Sequence, residues 1–392
     1  MNAERKMNLF GVGIVFRLCK LFSRRDPKLW VFGSLRGKKY DDNAKYLFEY
    51  INQSHSGEVK TVWLAANDSV VDEVKKAGGE AYTFKSEKGK HFARKAGVAI
   101  YTHGLDDFGL WPQVGGAKLV FLGHGVGFKK TYNAKRTGMK LLMKAFIDKY
   151  FSWIQRDITI ATSKYNQIQR KNIAGLKDTS QIYITGQPRN DLFKRNVNRE
   201  SVLQKIGIDS SKKIILYMPT YRRPVSGKDK MVDIIKGLYN NKQLCSVLDE
   251  GQYVFIAKLH PQTAHIDLKS RENFKVLDYK AVQANQELLA IGDILITDYS
   301  SCCVDFALLN RPVIFYVPDE DWFVKHSEPV CEEFYGISEK NQCETADRLA
   351  EKIAHPSLKA TNAINELFED SSIKGTCYSE NVYKAINRCI VK

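Results

Sequence analysis

Two histidines and one hydroxyl-rich turn carry the groups in this chain best suited to chemistry. His124 stands in Leu119-Val120-Phe121-Leu122-Gly123-His124-Gly125-Val126-Gly127-Phe128-Lys129-Lys130, so an apolar run delivers an imidazole between two glycines, just ahead of a lysine pair. Glycine on each side lets another molecule approach the backbone closely, and an imidazole with an ordinary pKa near ~6.5 can take a proton from an attacking hydroxyl. His260 repeats the arrangement in Tyr253-Val254-Phe255-Ile256-Ala257-Lys258-Leu259-His260-Pro261. The turn lies between Asp293 and Asp319. There Ile294 to Ile296 reads as a buried strand ending in Thr297-Asp298, and Ser300, Ser301 and Asp305 lead into a helix around Ala307-Leu308-Leu309. Pro312 to Val317 supplies the next strand. Such a β-α-β unit collects hydroxyls and free N–H groups at a strand's carboxyl end, where a helix dipole favours phosphate. The same serines also suit an ordinary N-cap on a structural helix.

Other strand ends add charge. Arg222, in Tyr217-Met218-Pro219-Thr220-Tyr221-Arg222-Arg223, has the fork geometry to hold a phosphate with two hydrogen bonds. A histidine opposite Ser300 and Ser301 can donate to a phosphate oxygen as charge grows there. His103, in Tyr101-Thr102-His103-Gly104, ends a further strand and is a lesser candidate. Thr185-Gly186-Gln187-Pro188-Arg189-Asn190-Asp191 reads as a turn joining two halves. Gly33 to Lys39 lacks the spacing of a nucleotide-binding phosphate loop. Asp319-Glu320-Asp321 follows the last strand of the second half and is expected to be a solvated turn rather than a metal site.

These residues need elements to hold them. Apolar runs at Leu29 to Leu35, Thr61 to Ala65, Ala81 to Phe84, Val98 to Thr102, Leu119 to Leu122, Ile158 to Thr162 and Ile182 to Thr185 alternate with helical patterns. A second series follows the polar stretch Arg195 to Arg199: Ile214 to Met218, Tyr253 to Lys258, Phe274 to Leu277, Ile294 to Ile296 and Pro312 to Val317. Strands alternating with helices predict an α/β fold of two Rossmann-type, doubly wound domains facing a cleft, with ligands at the carboxyl ends of the strands. Expected boundaries are 1–27 for an N-terminal basic amphipathic segment, 28–195 for the first domain and 196–392 for the second.

Composition narrows the partners. The chain has 392 residues, 44% of them hydrophobic, and a formal net charge of +16, which suits anionic partners such as nucleic acid, an acidic membrane or phosphorylated molecules. No helix-turn-helix or ribonucleoprotein signature supports nucleic acid. Eight cysteines show no C-x-x-C and no histidine at metal-ligand spacing, so reduced thiols and no metal site are expected. Met7 to Phe22 is interrupted by Arg17 and Lys20 and is too short to span a bilayer. It suits either a basic helix lying on an anionic membrane surface or one packed on its own domain or on a partner. Met139 to Arg156 mixes Leu, Met, Phe and Trp with basic residues and has the same two readings.

Taken together, G-H-G, T-G-x-P-R-N-D, L-Y-x-P-T-Y-R, K-L-H-P and I-T-D-Y-S-S-x-x-x-D-F resemble, in order and spacing, the CDP-glycerol glycerophosphotransferases, which build teichoic acids and capsule polymers. The resemblance includes an opening at Trp30-Val31-Phe32-Gly33-Ser34 and Asp42-Asn43-Ala44-Lys45-Tyr46. It implies a GT-B-like pair of Rossmann domains, with CDP-alcohol on the second, and peripheral attachment to the cytoplasmic face of the membrane. His124 would be the catalytic base and His260 a second catalytic histidine near the diphosphate. Arg222, Thr297, Ser300, Ser301 and Asp305 would bind the donor, with Lys129 and Lys130 as a positive rim toward the acceptor.

The expected reaction moves a polyol phosphate, glycerol phosphate foremost and ribitol phosphate as an alternative, from its CDP-alcohol to a hydroxyl of a lipid-linked or polymeric acceptor. CMP leaves. No cofactor is indicated, and assistance by Mg²⁺ is left open. The alternatives are a GT-B glycosyltransferase using a nucleotide sugar and a non-enzymatic basic scaffold for anionic polymer.

Overall fold

The structure is a computed structural model that describes residues 14–22, 24–109, 111–128, 156–174, 176–224, 229–260, 263, 266–269, 271–277, 285–327 and 329–391. Lys129, Lys130 and nearly all of the Met139 to Arg156 segment lie outside the described residues. The chain divides into two compact units. Among the described residues, the first runs to His124, includes the stretch ending at Asp191 and takes the chain again from Asp370; the second holds the residues from Gly125 to Phe128 and Leu192–Glu369.

In the first unit β1 (Asp26–Gly33), β2 (Lys60–Ala65), β3 (Ala81–Thr83), β4 (Ala96–Tyr101), β5 (Lys118–Phe121), β6 (Ile158–Ala161) and β7 (Ile182–Ile184) form one parallel sheet in the order β3-β2-β1-β4-β5-β6-β7. Each apolar run of the first series overlaps one of these strands. β4 is buried along its whole length, as expected of a parallel strand covered on both faces. Trp30, Phe32 and Trp63 pack with Phe48 and Tyr40 of the flanking segment on one side of the sheet. Phe108, Val114 and Phe121 belong to a second cluster, with Val31 and Leu64.

In the second unit β8 (Lys213–Tyr217), β9 (Tyr253–Lys258), β10 (Phe274–Leu277), β11 (Ile294–Thr297), β12 (Val313–Tyr316) and β13 (Gln342–Cys343) give a six-stranded parallel sheet in the order β10-β9-β8-β11-β12-β13. The two-residue β13 is too short to leave a periodic signal. In each sheet the strand order reverses at one place, between β1 and β4 and between β8 and β11. Such switch points open a crevice at the strands' carboxyl ends, where α/β proteins bind ligands.

One boundary differs from expectation. The segment from Asp370 joins the first unit instead of the second. Its helix Tyr378–Val391 is capped by Asp191, whose carboxylate accepts from Tyr378 N at 2.8 Å, Ser379 N at 2.8 Å and Ser379 Oγ at 2.7 Å. Val382, Tyr383 and Ile386 then enter the core beside Trp30. The pairing of Asp191 with a residue nearly two hundred positions later leaves no local trace in the sequence.

Residues 14–22 are helical, and Phe16 anchors them by burying its ring in the cluster of Val114 and Ala117. Ile14, Val15, Leu18, Leu21 and Phe22 are 44% to 80% exposed. With 3.6 residues per turn these five fall on one face, away from Phe16, Arg17 and Lys20. Among the described residues no helix is long and apolar enough to cross a membrane.

Candidate active site

At the switch point of the first unit, Ser34 follows β1 and Thr102 follows β4, and their buried hydroxyls lie 3.0 Å apart. Beneath them Asp107, fully buried, accepts from the backbone N–H groups of Thr102 and His103, each at 2.9 Å, through Oδ2 and from Arg36 N at 2.7 Å through Oδ1. One carboxylate thus fixes both strand-end loops. Thr102 Oγ1 also lies 2.8 Å from His103 Nδ1, and the His103 ring stacks on His124 with centroids 4.3 Å apart and planes 12° from parallel.

His124 is an exposed side chain on a tightly held backbone. Arg189 Nη1 donates to the His124 carbonyl at 3.1 Å and to Asp42 Oδ1 at 2.8 Å, and Asn43 Nδ2 donates to the Gly123 carbonyl at 3.0 Å. Arg189 N donates in turn to Asn43 Oδ1 at 3.2 Å. Asp42 sits in the left-handed region at φ 64°, a conformation that is uncommon outside glycine and is retained where the surroundings demand it. Gly123, at φ 69°, is required twice over, since a Cβ there would also lie 2.7 Å from Arg170 Nη1. Although the His124 side chain is solvent-exposed overall, one ring face is covered by His103. That partial burial lowers its pKa, and the neighbouring His103 and Arg189 charges act in the same direction against the opposing pull of Asp42. The lowering favours the neutral imidazole, the form able to accept a proton.

The switch point of the second unit is organised by a buried charge cluster. Arg222, expected to hold phosphate, is 1% exposed, and its guanidinium is taken up by protein groups. Nε and Nη2 donate to the two oxygens of Asp319 at 3.0 and 2.9 Å, Nη1 donates to the Thr220 carbonyl at 2.7 Å, and Nη1 lies 2.8 Å from Asp298 Oδ2. Phe323 lies under it at 4.6 Å. Burial works against its charge, but Asp298 and Asp319 outweigh that and raise its pKa. Asp298, itself fully buried, accepts from Thr220 N at 2.8 Å through Oδ1. Asp319 is accordingly a buried partner of Arg222 and not part of a solvated turn. A lone D-x-D gives no hint that its first carboxylate will meet an arginine far back in the chain.

Thr297 and Asp305 also turn inward. Thr297 Oγ1 donates to the Met218 carbonyl at 2.7 Å, tying β11 to β8, and the buried Asp305 accepts from Gln286 Nε2 at 3.3 Å. The groups left at the surface of this unit are Ser300, Ser301 and His260. Both serines are half-buried, and Ser301 precedes the helix Cys302–Ala307 without its side chain making a capping bond. Gly127 abuts Ser301 closely enough that a Cβ would lie 3.0 Å from the Ser301 Cβ. His260, just beyond β9, is exposed and rests against the Tyr221 ring at 4.6 Å; partial burial lowers its pKa. Among the described residues no group of three His, Cys, Asp or Glu side chains gathers as a metal site would require.

Asp42, Asn43, Asp107, Arg189, Asp298 and Asp319 hold the loops, a role that their sequence context does not predict. Arg189 stood in a stretch read only as a turn.

A family model described as CDP-Glycerol:Poly(glycerophosphate) glycerophosphotransferase matches residues 15–376. Over 329 residues, 79% of this chain and 78% of the relative, the chain is 30% identical to a teichoic acid poly(glycerol phosphate) polymerase of Bacillus spizizenii. It is 29% identical to a protein of the same description from Staphylococcus epidermidis, of which the match spans 47%. The solved structure of the wall teichoic acid polymerase TagF superposes with a TM-score of 0.74 at 22% identity, covering 99% of this chain and 95% of that one, and so shares its GT-B fold of two parallel-sheet α/β domains.

Proposed function

Because the chain belongs to the CDP-glycerol:poly(glycerophosphate) glycerophosphotransferase family, we propose that it transfers glycerol phosphate from CDP-glycerol to a hydroxyl of a teichoic-acid-type polymeric acceptor. The acceptor oxygen attacks the β-phosphorus, its proton passes to His124, the bond between that phosphorus and the bridging oxygen breaks, and CMP leaves. The observation that carries the reading is His124 itself: an exposed imidazole at a strand end, held by its backbone and by a stacked ring, with no carboxylate among the described residues bonded to its ring nitrogens.

The first unit then receives the acceptor and the second the donor. Ser300, Ser301 and His260 donate hydrogen bonds to the diphosphate, and Lys129 and Lys130 attract the anionic acceptor. Arg222, Thr297 and Asp305 act one step back, by fixing the loops that carry the surface groups. Phosphoryl transfer draws most of its acceleration from positioning and charge stabilisation, which groups of these kinds supply. Arg156, Arg170 and Arg189 interact electrostatically in the first unit, a positive background suited to a phosphodiester polymer.

The enzyme works at the cytoplasmic face of the membrane on a lipid-linked acceptor, attached through residues 14–22. Five exposed apolar side chains on one helix face, beside Arg17 and Lys20, fit an anionic interface.

A donor screen tests the reaction. Incubation with CDP-glycerol, CDP-ribitol and UDP-sugars, each with polymeric acceptor, is expected to release CMP from CDP-glycerol foremost. Release of UDP from a UDP-sugar alone would replace the proposal with glycosyl transfer.

A further inference from the structure

We propose that His103 is a positioning residue for His124: its ring, anchored through Thr102, stacks on the His124 imidazole and fixes its orientation. The inference rests on His124 being the proton acceptor of the proposed transfer, and it adds a second histidine to that side of the site.

Two observations converge on the pair. The rings overlap face to face at 4.3 Å and 12°, a geometry that hydrophobic packing alone does not demand of two partly exposed polar rings. His103 is fixed at both ends: its backbone N–H goes to the buried Asp107 at 2.9 Å, and its Nδ1 meets the Thr102 hydroxyl at 2.8 Å. That hydroxyl is bound in turn to Ser34 Oγ across the switch point between β1 and β4.

Two imidazolium ions cannot comfortably share this stack, since like charges at such separation each disfavour the other. Among the described residues the other charged groups acting on His124 are Asp42 at the start of the helix Asp42–Ser54, which favours its protonation, and Arg189 in the Pro188–Lys194 turn, which opposes it. Arg170 faces the preceding Gly123, and Asp107 lies behind His103. Asp42 is already engaged by Arg189, whereas the His103 ring lies directly against that of His124.

The test is an NMR titration of the His124 imidazole in the full chain, compared among the unaltered protein, His103→Ala and His103→Phe, together with kcat and KM for CMP release across pH. His103→Ala is expected to lose about 10²-fold in kcat, the scale of a displaced reacting group, with KM for CDP-glycerol unchanged. His124 should titrate at higher pH in that variant, and the acidic limb of the rate profile should move up with it. His103→Phe restores a ring to lean on, so it should regain much of the lost kcat while His124 still titrates above its value in the unaltered protein. An unchanged His124 titration in both variants would overturn the inference, as would full activity of His103→Ala. If the titration shifts as described while His124→Ala retains full turnover, the pairing is supported and the proton-acceptor reading is the part that falls.

Discussion

Arg222 and Asp319, 97 residues apart, form a two-pronged ion pair at 3.0 and 2.9 Å in which both side chains are about 1% exposed. The same guanidinium reaches the fully buried Asp298, so a single cation holds the loops after β8, β11 and β12 together. Removing one member of a buried pair strands the others without compensation, which costs ~3–5 kcal/mol. Arg222→Ala should therefore lower the unfolding free energy of the second unit by that order in chemical denaturation. A variant as stable as the unaltered protein, losing only affinity for CDP-glycerol, would return Arg222 to direct phosphate binding.

The carbonyl groups of Gly123 and His124 are held by Asn43 and Arg189, so the loop tolerates little change. Gly123→Ala forces a Cβ into the left-handed region and against Arg170 Nη1. Strain of that kind costs ~1–3 kcal/mol. The expected result is a lower melting temperature together with a loss of CMP release larger than the stability change explains. A fully active Gly123→Ala enzyme would show that His124 needs no such support.

His55 ties the C-terminal helix to the first unit through Glu58 at 2.9 Å and Glu380 at 3.0 Å, with its ring stacked on Tyr383. Burial pulls its pKa down, but the bonds to both carboxylates outweigh this and raise it. A raised histidine stabilises the fold below its unfolded pKa, about 6.5, and loses that contribution as pH climbs through the folded value. Glu58 is lowered chiefly by its bonds to His55 and Tyr383; Glu380 is lowered because bonds to Tyr50 and His55 outweigh its burial. Their contribution is present above about pH 4.5 and fades below it. Hydrogen exchange of residues 378–391 should be slowest between about pH 4.5 and 6.5, after correction for intrinsic rates, and His55→Asn should remove the loss of protection seen on going to pH 8. Equal protection in both proteins across that range would refute the link.

Residues 14–22 give the membrane proposal its test. Leu18→Glu with Leu21→Glu places two carboxylates on the exposed apolar face while leaving Phe16 in the core. Sedimentation with phosphatidylglycerol vesicles should fall about tenfold or more, with CMP release on a soluble acceptor unchanged. Undiminished vesicle binding would place the membrane contact elsewhere in the chain.

Much of the fold was legible because buried parallel strands leave continuous apolar runs, as in Ala96–Tyr101 and Tyr253–Lys258. The two switch points then follow from strand order. The place of His124, exposed just beyond a strand, was legible for a local reason, glycines on both sides at the end of such a run. The supporting residues were not, because their meaning lies in partners far away in sequence: Arg189 with Asp42, Asp191 with Ser379, Arg222 with Asp319. A motif read in isolation places arginine and threonine on the ligand. Here Arg222 and Thr297 spend their hydrogen bonds on the protein, and the groups facing outward are the flanking Ser300, Ser301 and His260.

In the proposed transfer His124 takes the acceptor's proton, and loss of a general base typically slows a reaction ~10²–10⁴-fold. The direct measurement is the rate of CMP release by His124→Ala saturated with CDP-glycerol and polymeric acceptor. A fall of that size with donor affinity retained is the predicted result. Turnover equal to that of the unaltered protein would contradict it.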